Sequence, residues 1–353
     1  MAHIAVDARP LTNPTNGIGR YTHQLLTLLA RSSDHDYSLL THRSIQVPPG
    51  TNQVLLEGWP SQSYVTAATR FGRWSNRNPV DLYWGPRHFL PRGLRAKGLL
   101  TVHDLCWQKA PETMPAARRL AERLLVPRSL ERADHILCVS QAVADELAEA
   151  FPHTQGKTST VHLASQFHGQ VAPAAAPEQP IMLSVGTIEP RKNYPMLLRA
   201  FAQVANRLPH TLVIAGHPGW GNIDLQRLTV SLGLTDRVTL LQGITDAELH
   251  GWLAAADIYV SCSRYEGFNL PLLEAGATGA TVVATDLPVH REVTSGHAYL
   301  VAPTVEAVAE GMVCAANNPL STNLNLNHSP NPLTQRSWQQ AADETLAVME
   351  RLL

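Results

Sequence analysis

Apolar runs of four to seven residues alternate along this chain with longer stretches whose apolar positions recur at helical spacing. "HIAVDA" at the start predicts a strand, and "GRYTHQLLTLLARSS" an amphipathic helix after it. "DLYWG" and "GLLTVHDL" predict two further strands, "AARRLAERLLVPRSLERA" a helix, "HILCVS" a strand and "QAVADELAEAF" a helix. Parallel strands need a crossover between them, and the crossover is usually a helix, so this rhythm predicts a parallel, doubly wound sheet. "GQVAPAAAPEQP", residues 169–180, is rich in Pro and Ala, has no period, and reads as a linker. The rhythm then restarts. "IMLSVG", "HTLVIAG", "VTLLQG", "IYVSCS" and "TVVAT" predict strands, separated by the helical stretches "YPMLLRAFAQVANRL", "NIDLQRLTVSLG", "DAELHGWLAAA" and "LPLLEAGATG". Residues 317–335 are dense in Asn and Pro and read as a long loop before a final helix, "SWQQAADETLAVMERLL". The expected architecture is α/β: two doubly wound Rossmann-like domains, residues 1–170 and 181–336, joined by a linker at 171–180 and facing a cleft.

Composition agrees with two globular domains. The chain has 353 residues, 44% hydrophobic and 16% charged, with a formal net charge of −1. That balance gives no reason to expect a nucleic-acid partner. The halves differ: residues 1–175 hold 18 Lys and Arg against 13 Asp and Glu, residues 176–353 hold 10 against 16, so two domains with different partners are expected. The four cysteines, Cys106, Cys138, Cys262 and Cys314, form no CxxC and read as free buried thiols of a reducing compartment. No basic segment followed by an apolar one opens the chain, and no apolar run approaches the ~20 residues of a membrane span, so a soluble or peripheral protein is expected.

Ligands of open α/β sheets bind outside the carboxyl ends of the strands, so chemistry should gather in strand-to-helix loops. Four loops carry candidates. In "NPTNGIGRY", residues 13–21, Gly17 and Gly19 let backbone N–H groups approach an anion at a helix start, although tight turns need glycine for geometry alone. In "TVHDL", residues 101–105, His103 and Asp104 end an apolar strand; His103 could donate to a substrate hydroxyl or take a proton near neutral pH. In "SVGTIEPRKNY", residues 184–194, a strand runs into Gly186, and Arg191 and Lys192 precede a helix, where a fork and a point charge both suit phosphate oxygens. In "RYEGFNLPLLE", residues 264–274, Pro271 fits a first helical turn, Asn269 reads as its N-cap, and backbone N–H groups near Phe268, Asn269 and Leu270 face an anion. Carboxylates stabilise helix starts, but that accounts for one of Glu266 and Glu274 better than for both. A ligand with an anionic middle and hydroxyl-bearing ends, such as a nucleotide diphospho-sugar, accounts for two.

Other patterns fail. The "DHD" at 34–36 lies in a polar turn rather than after an apolar strand, and no HExxH, G-x-S-x-G elbow or P-loop occurs.

The four segments, followed by "TDLPVHREV", resemble in order and over nearly the whole chain the family 4 retaining glycosyltransferases, whose fold is GT-B. The resemblance implies that Arg191 and Lys192 hold a donor diphosphate, Glu266 contacts the transferred sugar, and the backbone at Phe268, Asn269 and Leu270 positions sugar and phosphate. It implies that Glu274 binds the ribose, the loop at Gly17 and Gly19 closes over the diphosphate, His103 lies beside the sugar, and Gly243 and Ile244 of "LLQGI" flank the base. Family members often have glycine where Asn269 stands, so its side chain is expected beside the sugar. The final helix, 337–353, is expected to pack back on the N-terminal domain.

The wording is most similar to bacterial mannosyltransferases of polysaccharide and O-antigen assembly, which implies GDP-mannose as donor, no essential metal or other cofactor, and a glycan or lipid-linked acceptor. UDP- or dTDP-sugars such as glucose or rhamnose are the alternative donors, and a non-catalytic nucleotide-sugar-binding protein is the alternative class. A phosphorylase of this fold needs a pyridoxal lysine, and Lys192 is the single lysine of residues 176–353. Cationic groups would stabilise the leaving diphosphate, which itself takes the acceptor proton. Basic stretches with apolar neighbours, Arg70, Arg73 and Arg77 with Phe71 and Trp74, and Arg118, Arg119, Arg123, Arg128 and Arg132, suit an anionic membrane surface or an ordinary solvated face. The expected location is cytoplasmic, peripheral on the inner membrane.

Overall fold

The computed structural model describes residues 1–13, 16–56, 67–167, 179–320 and 331–353. The expected linker at 171–180 falls outside them except for its last two residues, as does most of the Asn-rich loop, 321–330. The chain divides into two compact units. One comprises Met1–Leu105, Leu120–Leu163 and Ser337–Leu353, the other Cys106–Arg119 and Ala164–Arg336.

In the first unit β1 (His3–Asp7), β2 (Asp36–Thr41), β3 (Thr51–Leu55), β4 (Leu82–Gly85), β5 (Lys97–Val102), β6 (His135–Cys138) and β7 (Thr158–Thr160) form one sheet. Its order is β3-β2-β1-β4-β5-β6-β7, and every pairing is parallel. Helices cover both faces of such a sheet, which is why the central strands are apolar without alternation: Ile4, Ala5 and Val6 are fully buried, as are Leu82, Tyr83 and Trp84. Helix α1 (Gly17–Ser32) follows β1 and buries Tyr21, Leu25, Leu26 and Leu29. The C-terminal helix, Trp338–Leu352, packs on α1 and opens with a capping box of Ser337 and Gln340. Gln339 Nε2 donates to Ser32 Oγ at 3.1 Å.

In the second unit β8 (Ile181–Val185), β9 (Thr211–Ala215), β10 (Val238–Leu241), β11 (Ile258–Ser261), β12 (Thr281–Thr285) and β13 (Ala298–Val301) form a parallel sheet of order β10-β9-β8-β11-β12-β13. Met182, Leu197, Phe201, Val260, Val283 and Met312 lie in its core. The segment Cys106–Arg119 belongs to this unit through Trp220: its Nε1 donates to the Thr113 carbonyl at 2.7 Å, and the Arg118 guanidinium lies 5.8 Å from its ring centre.

Both sheets reverse direction at one place, between β1 and β4 and between β8 and β11. At such a point adjacent loops run to opposite sides and open a crevice at the carboxyl ends. In the second unit the backbone there is tight: a Cβ on Gly216 would stand 1.9 Å from the Gly186 carbonyl oxygen, so only glycine fits at 216. Among the described residues no helix is long and apolar enough to cross a membrane.

Candidate active site

The crevice of the second unit is built from the loop after β8 and the loop after β11. The first runs from Gly186 through the 3-10 turn Pro190–Lys192 to Asn193, which is left-handed (φ 55°, ψ 38°), and then helix Tyr194–Val204 begins. The Tyr194 hydroxyl donates to the Gly186 carbonyl at 2.8 Å and folds this loop back on the strand end. Gly186 (φ 149°) makes room for a lysine: a Cβ there would lie 3.0 Å from Lys192 Cε and 3.3 Å from its Nζ.

The second loop brings Glu266 between the two cations. Lys192 Nζ lies 2.6 Å from Glu266 Oε1, and Arg191 Nη1 donates to Oε2. Ser263 Oγ also donates to Oε1, at 2.7 Å. Arg191 is held further by buried Glu189, through Nε at 2.9 Å and Nη2 at 2.6 Å, and by the Tyr265 carbonyl at 3.0 Å. The Arg264 amide donates to the Arg191 carbonyl at 2.8 Å, so backbone and side chains tie the loops together. Two acids and two bases thus form one cluster with no formal excess charge. Burial pushes the Glu266 carboxyl up, but Arg191 and Lys192, with the hydrogen bonds from Lys192 and Ser263, outweigh it and hold its pKa well below the usual range. Removing one partner from such a cluster typically costs about 3–5 kcal/mol, because the carboxylate stays buried.

Asn269 precedes helix Leu270–Thr278 at the N-cap position but makes no capping hydrogen bond with its side chain. That corrects the sequence expectation. Its backbone is left-handed (φ 70°, ψ 62°), a conformation open to Asn and Gly but costly for most residues. The side chain is buried and donates through Nδ2 to Ser261 Oγ at 3.0 Å and to His290 Nε2 at 2.9 Å. Phe268 and Leu270 flank it and are buried, and Glu274 is buried in the second turn of the helix. Gly243 (φ 69°) and Ile244 follow β10, the edge strand of the sheet, two strands away from β8. Cys262 is buried, and burial pushes its thiol up to about 12, so it is no nucleophile. Among the described residues no group of His, Cys, Asp and Glu side chains is gathered as metal ligands would be.

The remaining candidates lie in the first unit. Gly17 and Gly19 are residues of the first turn of α1, not of the loop before it, and the Gly19 amide is taken by the Asn16 side chain at 2.7 Å. His103 follows β5 but is 8% exposed, with its ring edge-on to Tyr21 at 4.8 Å. Its Nε2 lies 2.7 Å from the Pro86 carbonyl; a carbonyl only accepts, so the ring proton sits on Nε2. Burial, and then His88, push its pKa down to about 3. The Pro86 carbonyl thus holds the His103 ring N–H, and burial favours the neutral ring. Glu189, Ser263 and His290 were not singled out in the sequence, although Glu189 stands two positions before Arg191 and His290 lies within "TDLPVHREV".

Comparison with known proteins now bears on this crevice. Residues 179–318 match the model of the glycosyl transferases group 1 family, and residues 15–164 match that of glycosyltransferase family 4. An O-antigen chain mannosyltransferase B of Escherichia coli is 28% identical over 97% of this chain and 98% of its own length. The O-antigen chain mannosyltransferase RfbU of Salmonella typhimurium is 25% identical over 86% of this chain and 88% of its own. The solved sucrose-phosphate synthase of Thermosynechococcus elongatus superposes with a TM-score of 0.73 at 19% identity, covering 100% of this chain and 97% of that one. The chain belongs to the group 1, family 4 glycosyltransferases, and its fold is GT-B. It is a glycosyltransferase.

The depressed Glu266 pKa has a consequence for acid stability. Its contribution is complete above the unfolded value of about 4.3 and is lost as pH falls through the lower folded value. Urea midpoints measured from about pH 6 down to about pH 3 should therefore fall more steeply for the wild type than for Glu266→Gln. Parallel slopes would mean that Glu266 is not held ionised by the cluster.

Proposed function

We propose that the chain transfers mannose from GDP-mannose to a hydroxyl of a glycan or lipid-linked acceptor, with the anomeric configuration retained, in cell-surface polysaccharide assembly. The observation that carries this reading is Glu266 between Arg191 and Lys192 at the carboxyl-end crevice. The named activity of the full-length relatives supports the choice of mannose.

The Lys192 ammonium donates to Glu266 alone among the described residues, so its other two N–H bonds suit the donor diphosphate. Arg191 brings a second positive charge to the same place. As the glycosidic bond breaks, negative charge grows on the diphosphate, and fixed cations stabilise it more than they stabilise the intact donor. The departing phosphate then takes the acceptor proton. Glu266, kept ionised, accepts hydrogen bonds from donor-sugar hydroxyls, and Glu274 from the ribose. Gly243 and Ile244 flank the base. No essential metal is part of this proposal.

The partner surface is an anionic membrane, on the cytoplasmic face. Helix Ala116–Arg132 carries two large apolar side chains in the open, Leu120 at 59% and Leu124 at 50% exposure, one turn apart. Arg123 and Arg128 are exposed beside them. Apolar side chains between arginines suit insertion at a surface of anionic headgroups.

Proton NMR of the products tests the chemistry. With a mannose-terminated oligosaccharide as acceptor, GDP-α-mannose should give a new α-mannosyl linkage and free GDP, with chelator present or absent, and Lys192→Ala should lower kcat by about 100-fold or more. Turnover of UDP- or dTDP-sugars alone would replace the donor, and a β product would end the retaining mechanism. For the membrane, the protein should sediment with vesicles of phosphatidylethanolamine and phosphatidylglycerol but not of phosphatidylcholine, and Leu120→Glu with Leu124→Glu should abolish it. Equal sedimentation of the double variant would remove this helix as the docking face.

A further inference from the structure

A buried chain of hydrogen bonds runs from the end of β12 to Glu266. The Thr285 carbonyl lies 2.7 Å from His290 Nδ1. A carbonyl only accepts, so the His290 proton is on Nδ1, and Nε2 is an acceptor. Nε2 takes one amide hydrogen of Asn269 at 2.9 Å, and the other goes to Ser261 Oγ at 3.0 Å. The tautomer of His290 therefore fixes which way round the Asn269 amide sits. Ser261 Oγ then donates to Ser263 Oγ at 3.4 Å, and Ser263 Oγ to Glu266 Oε1 at 2.7 Å. A side branch braces the chain, as Thr285 Oγ1 donates to the Ser263 carbonyl at 2.6 Å. His290, Asn269, Ser261, Ser263 and Glu266 are all buried.

We propose that His290 is a positioning residue for Glu266, acting through Asn269 and the two serines to fix the carboxylate toward a donor-sugar hydroxyl. This rests on the donor-site reading above. The need for such a device follows from the other side of the carboxylate. Arg191 and Lys192 both pull on Glu266, and both are the groups a diphosphate would engage. When the diphosphate draws on those cations, the neutral chain is what remains to hold the carboxylate. The chain suits that task because it carries no charge for the diphosphate to attract or repel. Burial lowers the His290 pKa, which keeps the ring neutral and Nε2 an acceptor. The left-handed backbone at 269 matters too: glycine would keep that conformation but remove the link between His290 and Ser261.

Calorimetry with GDP and GDP-mannose reads this without turnover, because Glu266 meets the sugar and not the nucleotide. The wild type should bind GDP-mannose more tightly than GDP. His290→Phe, which fills the space but can neither accept nor donate, should shrink that ratio by about tenfold while leaving GDP affinity unchanged, and Asn269→Gly should shrink it likewise. His290→Gln, which can still accept from Asn269, should recover part of it. A ratio unchanged in His290→Phe and Asn269→Gly would overturn the inference. So would an equal loss of affinity for both ligands together with a lowered melting temperature, since packing alone would give that. A wild type that binds neither ligand would instead remove the donor-site reading, and this inference with it.

Discussion

Glu266 sits buried between an arginine and a lysine, and the active end of the second unit is arranged around that contact. A carboxylate at that depth is tolerated only with its charge matched and its lone pairs used. Two cations and a serine hydroxyl meet those conditions, and a second buried acid, Glu189, meets them for Arg191. The same contacts join the loop after β8 to the loop after β11, with the Arg191 side chain reaching the Tyr265 carbonyl and the Arg264 amide reaching back. The cluster is therefore a latch between two loops, with its two cations matched by two acids.

The parallel topology explains why the latch can form. In the order β10-β9-β8-β11-β12-β13 the strands β8 and β11 are neighbours although two strands and three α-helices lie between them in sequence. Residues 75 positions apart thus meet at the carboxyl ends of two central strands. The first unit repeats the order but furnishes its crevice differently. There Asp7 and Arg9 pair at the end of β1, and the guanidinium lies near the Phe71 and Phe89 rings. The two halves share an architecture but place different side chains at the strand ends.

Central strands were legible in the sequence because burial on both faces makes them continuous apolar runs, as in "HIAVDA", "HTLVIAG" and "TVVAT". Of the strands that escaped notice, β2, β3 and β7 carry polar residues, while β13 is a short apolar run, AYLV, that is only partly buried. β3 and β7 are polar and partly exposed, and β7 and β13 end their sheets, where one side pairs with nothing in the sheet. The site divides in the same way. Arg191, Lys192 and Glu266 were visible as charges in strand-to-helix loops, but their pairing was not, because it depends on strand order. His103 could be placed at a strand end, but its burial and its carbonyl partner leave no trace in a pentapeptide. Asn269 looked like a cap because its composition suits one; its left-handed backbone gives it another task.

If Arg191 and Lys192 hold a donor diphosphate, Lys192 must leave Glu266 for it. A double-mutant cycle on GDP affinity tests it most directly, with Lys192→Ala, Glu266→Gln and both together measured by calorimetry. Lys192→Ala should weaken GDP by about tenfold or more. Glu266→Gln, which frees the ammonium, should not weaken it and should lose its effect once Lys192 is gone. GDP binding that is indifferent to Lys192, or weakened equally by both single changes, would contradict the account.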